Sequence, residues 1–344
     1  MTKIANKKFE NALGRIPQAC PPVWLMRQAG RYHEHYQKLR KEHSFVGLCK
    51  NPKLAAETAL GPIADFDFDV SILFSDLLFP LEAFGMGLKY DPAPELDWHL
   101  RSMDDFKKMR QPDDAIADMV FQKEAVEETR KVLPSDKSLI GFVGSPWTLF
   151  VYAVCGSHKG SLIEAKKNLG LFEPFCENFM MPLLQKNIQL QLDGGAEVVM
   201  VFDTAAGDLA PDDYESLVAP HIRHLAQLYP SRLGYYSKNT QASHLSCIWE
   251  GVDVAGIGYD HRWSLSECFA RGPGFVQGNF DQSLLFCEPQ EFAQRFSKYL
   301  EGFSQLSPQE RAGWVCGLGH GVLPKTPVEN VRFFVQKVRE VFGG

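Results

Sequence analysis

Val23-Trp24-Leu25-Met26-Arg27-Gln28-Ala29-Gly30-Arg31-Tyr32 opens as a short apolar run directly behind Pro21-Pro22 and ends in two arginines flanking a glycine. The run reads as a buried strand whose end carries charge. Arg27 and Arg31 each offer a planar fork of donors suited to carboxylate or phosphate. Gly30 lets the backbone turn so that both can face one ligand. Lys38, Arg40 and Lys41 follow closely. A plain basic loop, its arginines paired with nearby carboxylates, is the competing reading of the same residues.

The same pattern recurs along the chain: an apolar or β-branched run, a polar cluster, then a segment with helical spacing. The further runs are Asp69–Phe74, Leu139–Gly144, Ala196–Phe202, Leu233–Tyr236, Val254–Gly258, Gly274–Gly278 and Gly313–Cys316. Between them, helices are expected from Pro52, with Asn51 as N-cap, and over Asp104–Val132, Ser161–Leu169, Pro174–Asp193, Asp212–Tyr229 and Pro327–Val341. Pro80 to His99, rich in proline and glycine, reads as a loop. Eight strand-like runs alternating with helices predict an α/β fold, a single (β/α)8 TIM-type barrel. An open doubly wound sheet is the alternative. With no linker or composition break, residues 1–344 are expected to form a single catalytic domain.

Composition narrows the class. The chain has 344 residues, 45% hydrophobic and 23% charged, as soluble globular proteins do. No apolar run approaches the ~20 residues of a membrane span, and the polar start at Met1–Lys8 predicts no secretory leader. The net charge of −6 gives no global field for nucleic acid. The eight cysteines are scattered without a Cys-x-x-Cys, which predicts reduced thiols, a cytoplasmic location and no metal site. Neither a phosphate-binding P-loop nor a Gly-x-Ser-x-Gly elbow occurs. Gly317-Leu318-Gly319-His320-Gly321 is a glycine-rich turn of a kind that can hold phosphate.

In a barrel, chemistry collects where the strands end. The polar residues at those ends are Arg27, Arg31, Asp76, Tyr152, Thr204, Lys238, Asp260, Asn279 and His320. Each also has an ordinary structural use, such as a helix cap for Asp76 or a turn for His320. Together, arginines facing one carboxylate suggest an anionic ligand that also carries donors for Asp76.

These segments resemble the uroporphyrinogen decarboxylase family. Val23–Tyr32 is similar to its N-terminal motif. Ile72-Leu73-Phe74-Ser75-Asp76-Leu77-Leu78, Gly141–Leu149 with Tyr152, Phe202-Asp203-Thr204, Gln277-Gly278-Asn279 and Gly317–Gly321 follow in the family's order over essentially the whole chain. The resemblance implies a (β/α)8 fold and a homodimer. It implies removal of four acetate carboxyls from uroporphyrinogen III to give coproporphyrinogen III in haem biosynthesis, with no metal and no organic cofactor. Carried over by position, Asp76, Arg27, Tyr152 and His320 are the implied catalytic residues. Arg27, Arg31, Arg40, Phe142, Tyr152, Thr204 and His320 are implied to bind substrate. A macrocycle with pyrrole N–H groups and carboxylates fits that set: arginines grip carboxylates and Asp76 faces a cationic ring. As proton donor, His320 has the better-matched intrinsic pKa, since a guanidinium is a reluctant acid.

The chain departs from the family's usual pattern at His33-Glu34-His35, at Cys155 and Ser157-His158, at Ala205, at Asn239-Thr240 and at Tyr259-Asp260-His261, all expected in loops at the cleft mouth. Two further readings follow. One is a superfamily methyltransferase acting on a corrinoid or thiol, whose members usually carry a His/Cys zinc set missing here. The other is a non-catalytic tetrapyrrole-binding paralogue.

Overall fold

A computed structural model describes residues 3–90, 93–158 and 160–343. Met1, Thr2, Asp91, Pro92, Lys159 and Gly344 lie outside them, and with them the two ends of the 1–344 span and part of the Pro80–His99 loop. The strands are β1 (Val70–Ile72), β2 (Leu88–Tyr90), β3 (Pro94–Leu96), β4 (Ser138–Gly144), β5 (Val198–Asp203), β6 (Leu233–Ser237), β7 (Gly256–Gly258), β8 (Phe275–Phe280) and β9 (Trp314–Leu318). Seven of them form one curled sheet in the order β1-β4-β5-β6-β7-β8-β9. Every pairing in it is parallel. Helices cover its outside, so both faces of the strands are buried and they read as near-continuous apolar runs.

The eighth position is filled without a regular strand. Val23 makes an isolated parallel bridge to Cys316. Cys316 N–H donates to Pro22 O (2.9 Å), Trp24 N–H to Cys316 O (3.1 Å) and Asp69 N–H to Val23 O (3.0 Å). Residues 22–24 thus join β9 to the edge of β1 and close the barrel. Pro21 and Pro22 supply no N–H for a longer ladder. The Asp69 carboxylate, rather than a carbonyl, accepts the Val23 N–H at 2.8 Å. The expected strand over Val23–Met26 is therefore reduced to its first half.

Inside the barrel, large and small residues alternate between neighbouring strands. A Cβ on Gly256 would lie 2.2 Å from the Phe275 ring, and one on Gly234 2.2 Å from Met200 Sδ. These glycines leave the room that Phe275 and Met200 fill.

The helix from Pro52 runs to Phe66, and Asn51 Oδ1 accepts from Lys53 N–H (3.1 Å) and Leu54 N–H (3.2 Å) as the cap requires. Asp104–Val132 is not one helix. It breaks at extended Met109 and Gln111, because the residue before Pro112 is kept out of the helical region, and resumes to end in Val120–Val132. Pro80–His99 holds more than loop: a helical turn at Phe79–Ala83 and the antiparallel hairpin β2–β3. Among the described residues no helix is long and apolar enough to cross a membrane.

Candidate active site

The strand ends bring the loops after residue 26, after β1, after β5, β6 and β9, and the helix Pro146–Cys155 to one rim. Arg27 stands there in the left-handed region at φ 58°, an uncommon place for a non-glycine residue. Its stem crosses Gly321, where a Cβ would come within 2.5 Å of Arg27 Cδ. The next residue, Gln28, is buried and donates to Val70 O (3.3 Å), which ties the loop to β1.

Asp76 Oδ1 accepts the Leu78 N–H at 2.9 Å, so the structural use foreseen for it is partly real. Burial pushes its carboxyl above the ordinary carboxylate value, opposed by the Leu78 N–H, the Tyr90 hydroxyl and the Arg27 charge. Tyr90 comes from β2 and its hydroxyl is buried with no well-aligned partner; the acceptor it faces is Asp76. Tyr152 feels both Asp76 and Arg27, and burial pushes its phenol up to about 12. Its hydroxyl lies 2.6 Å from His158 Nδ1.

His320 sits on the last loop, its ring nearly parallel to that of Tyr236 (7° between planes, centroids 6.1 Å). Burial first, then Arg27, Lys238, His158 and His261, push its pKa down to about 3. The imidazole is neutral at neutral pH, so the well-matched intrinsic pKa that favoured His320 as proton donor does not operate. Tyr236 spends its own proton on Gly319 O at 2.7 Å.

A row of rings continues from His320 into the barrel: Tyr236 to Phe202 at 6.0 Å and Phe202 to Phe142 at 5.7 Å. Gly141 faces Gln191 on the outer helix Met181–Asp193, so Phe142 faces inward. Thr204, just beyond β5, is buried, and its hydroxyl has no hydrogen-bond partner among the described residues.

Arg31 and Arg40 lie further out, both in the electrostatic surroundings of Tyr36; Cys49 connects Arg40 to Asp76 in the same way. Arg40 also donates to the His43 carbonyl. Among the described residues, no carboxylate is within ion-pair distance of Arg27, Arg31, Arg40 or Lys238, although Lys38 pairs with Glu34 at 3.1 Å. The paired-loop reading of the arginines therefore fails for the residues that matter.

Two expected residues are committed elsewhere. Asp260 accepts from Asn239 N–H (2.7 Å), Arg262 N–H (2.9 Å) and the Arg262 guanidinium (2.9 Å). Asn279 donates to Asp260 O and Trp263 O, both at 2.8 Å. Both hold loops together. A separate cleft of about 590 Å³ is lined by His261, Asn279, Asp281, Lys298 and Tyr299 among others. It shares only His261 with the surroundings of His320, so charge rather than volume marks the site.

The model of the family described as "Uroporphyrinogen decarboxylase (URO-D)" matches residues 4–341. The chain belongs to the URO-D family. It is 33% identical over 351 residues to a uroporphyrinogen decarboxylase from Carboxydothermus hydrogenoformans, covering 98% of this chain and 97% of the relative. It is 34% identical over 358 residues to one from Pseudoalteromonas atlantica, covering 99% and 98%. Among solved structures, a methyltransferase from Methanosarcina mazei superposes with a TM-score of 0.77 at 19% identity, covering 99% of both chains, a likeness of fold alone.

Within this URO-D chain, several departures prove to be packing rather than cleft features. His33 is buried, with Nε2 2.5 Å from the Asp65 carboxylate, and its ring lies tilted against Phe66; His35 packs on Gly61. The partners Gly61, Asp65 and Phe66 belong to the outer helix Pro52–Phe66. Ala205 is buried and its carbonyl accepts the Trp147 indole N–H at 3.0 Å. Asn239 is a loop tether to Asp260. Only His158 and His261 among the departures enter the electrostatic surroundings of His320.

Tyr90 escaped the sequence reading because it lies in the segment read as a loop, and His158 was read only as a departure at the cleft mouth, without a partner. Tyr90→Phe is expected to raise the Asp76 pKa further, since the hydroxyl favours the ionised carboxylate. The acid limb of the kcat pH profile should then move to higher pH, with a fall of about three- to tenfold at neutral pH. An unchanged limb would remove Tyr90 from the site.

Proposed function

We propose that this chain is a cofactor-independent decarboxylase that converts uroporphyrinogen III to coproporphyrinogen III, removing four acetate carboxyl groups in haem biosynthesis. The observation that supports it best is a rim with one half-buried carboxylate, Asp76, under the charge of Arg27, and three further cations, Arg31, Arg40 and Lys238, with no ion pair among the described residues. The inward aromatic row from Phe142 to His320 offers an apolar wall beside them. A porphyrinogen combines these needs: carboxylates at its rim, apolar pyrroles, and N–H donors at its centre. The family assignment supports the same substrate. The reading takes residues 1–344 as one catalytic unit, working in the cytoplasm as a homodimer.

The carbanion left by direct loss of CO2 from a pyrrole acetate is unstabilised. Protonating the adjacent ring carbon gives an iminium-like ring that accepts the electrons of the breaking C–C bond. The arginines and Lys238 hold the polycarboxylate by charge-assisted bonds. Asp76 accepts pyrrole N–H bonds and opposes the ring's positive charge. Thr204, with its unused hydroxyl, positions a substrate polar group, and Tyr152 points the substrate at Asp76. One carboxylate at the centre can treat each pyrrole alike as the macrocycle is re-presented.

The test is anaerobic incubation of the purified protein with uroporphyrinogen, followed by counting carboxyls on the oxidised products. Products with progressively fewer carboxyls, ending at the tetracarboxylate, are expected without added metal, pyridoxal or thiamine cofactor. Binding should weaken as salt rises. Activity lost to chelator and restored by zinc would favour the methyltransferase reading. Tight binding with no loss of carboxyls would favour a non-catalytic paralogue.

A further inference from the structure

We propose that Tyr152 and His158 form a proton relay in which His158 loads and unloads the Tyr152 hydroxyl while that hydroxyl exchanges a proton with the substrate ring carbon. The inference rests on the decarboxylase reading and names the proton path that reading lacks. Tyr152 Oη and His158 Nδ1 are 2.6 Å apart, and the rings meet edge to face at 5.3 Å. The helix Pro146–Cys155 carries Tyr152 and stops at Gly156, in the left-handed region at φ 73°. The chain then turns back so that His158 reaches the tyrosine one turn earlier. His158 is half-buried, between solvent and the rim.

The other groups at the rim suit the task poorly. A guanidinium keeps its proton at neutral pH. His320 is neutral there, for the reasons given above, and Asp76 is the counter-charge. A phenol alone is a weak acid, and burial makes Tyr152 weaker. A neighbouring imidazolium removes that difficulty, because tyrosinate never has to accumulate. The groups facing the pair are Asp76 and Arg27 from the loops at the barrel mouth and His320 from the last loop. His99 lies beside Gly156, and Arg101 and Glu164, 4.0 Å apart, flank Cys155 at the end of the helix.

The imidazolium N–H passes to Tyr152 Oη as the Oη–H passes to the ring carbon. CO2 leaves, and its bonding electrons move into the ring to form an exocyclic methylene. Water supplies the proton that converts the methylene to methyl. The ring carbon then returns its proton through Tyr152 to His158. The net change is one acetate carboxylate and one proton converted to one methyl group and CO2.

His158→Gln keeps hydrogen-bonding groups but cannot titrate. It and Tyr152→Phe are each expected to lower kcat about 10²-fold, within the range of general acid–base catalysis, with KM changed much less. The double variant should be no slower than the slower single variant, because the two act as one unit. His158→Gln should also delete one ionisation from the kcat pH profile, which a merely structural role would leave in place. An active wild type with a His158→Gln variant of unchanged kcat and pH profile would overturn the relay alone, as would additive effects in the double variant. A wild type that binds uroporphyrinogen but releases no CO2 would overturn the decarboxylase reading and the relay together.

Discussion

Asp76→Ala is expected to lower kcat by about 10²–10³ while the protein stays folded, the typical loss when an electrostatic stabiliser of a transition state is removed. Asp76 lies beyond β1, held by the Leu78 N–H at 2.9 Å rather than by the barrel core, so its loss leaves no cavity among the strands. Under the proposed mechanism, what is lost is the negative charge that a protonated pyrrole needs. Asp76→Asn separates charge from shape and should be nearly as slow. It should also be more stable. Burial raises the native carboxyl pKa above its unfolded value. The native state therefore bears a penalty for ionising Asp76 that is absent at low pH, grows as pH rises past the unfolded pKa near 4, and is complete above the native pKa. The Tm gain of Asp76→Asn should be largest at neutral pH and vanish toward pH 4. Near-normal turnover by either variant would sink the role of Asp76 as counter-charge.

Arg27→Ala is expected to lower kcat/KM by about 10–100-fold, the worth of a charge-assisted hydrogen bond of ~1.5–3 kcal/mol, and to affect kcat as well as KM. Arg27 is the arginine that acts electrostatically on Asp76, Tyr152 and His320, whereas Arg31 and Arg40 sit with Tyr36. Alanine at these outer two should therefore raise KM and leave the chemical step nearly intact. The backbone gives a control. At φ 58° a side chain costs about 1 kcal/mol that glycine does not. Arg27→Gly should match the wild type in Tm or exceed it while losing the same activity, which separates loss of function from loss of fold. Single-turnover kinetics read the chemical step directly, and equal effects of all three alanine variants on binding alone would remove Arg27 from it.

The barrel was legible because a strand buried on both faces must be apolar along its length. Leu139–Gly144 and Leu233–Tyr236 therefore stand out from amphipathic neighbours. Asn51-Pro52 was legible because an N-cap followed by proline is a local device. The cluster from Arg27 to Arg40 was legible as charge, and the family's motifs fixed the order of the rest. Three things were not. Closure through residues 22–24 depends on which backbone groups meet across the chain, since Asp69 and Cys316 lie far from Val23 in sequence. Which of two adjacent residues faces the lumen depends on pleat parity. Phe202 joins the inward rings, whereas Asp203 turns outward to Thr148 Oγ1 (2.8 Å) and Tyr235 Oη (3.0 Å).

The protonation states came last of all. Amino-acid type sets only a reference pKa, and burial and neighbours move it. Asp203 is pushed up to about 6 and His320 down to about 3 by desolvation that no local stretch encodes. Tyr90 meets Asp76 because a hairpin folds back over the rim, and His158 meets Tyr152 because Gly156 turns the chain. The sequence by itself thus determined the barrel and its charged mouth, through periodicity and residue chemistry that act within a few positions. Tertiary structure alone decided which groups are charged there and which touch, because desolvation and contact between distant segments exist only once the chain has closed.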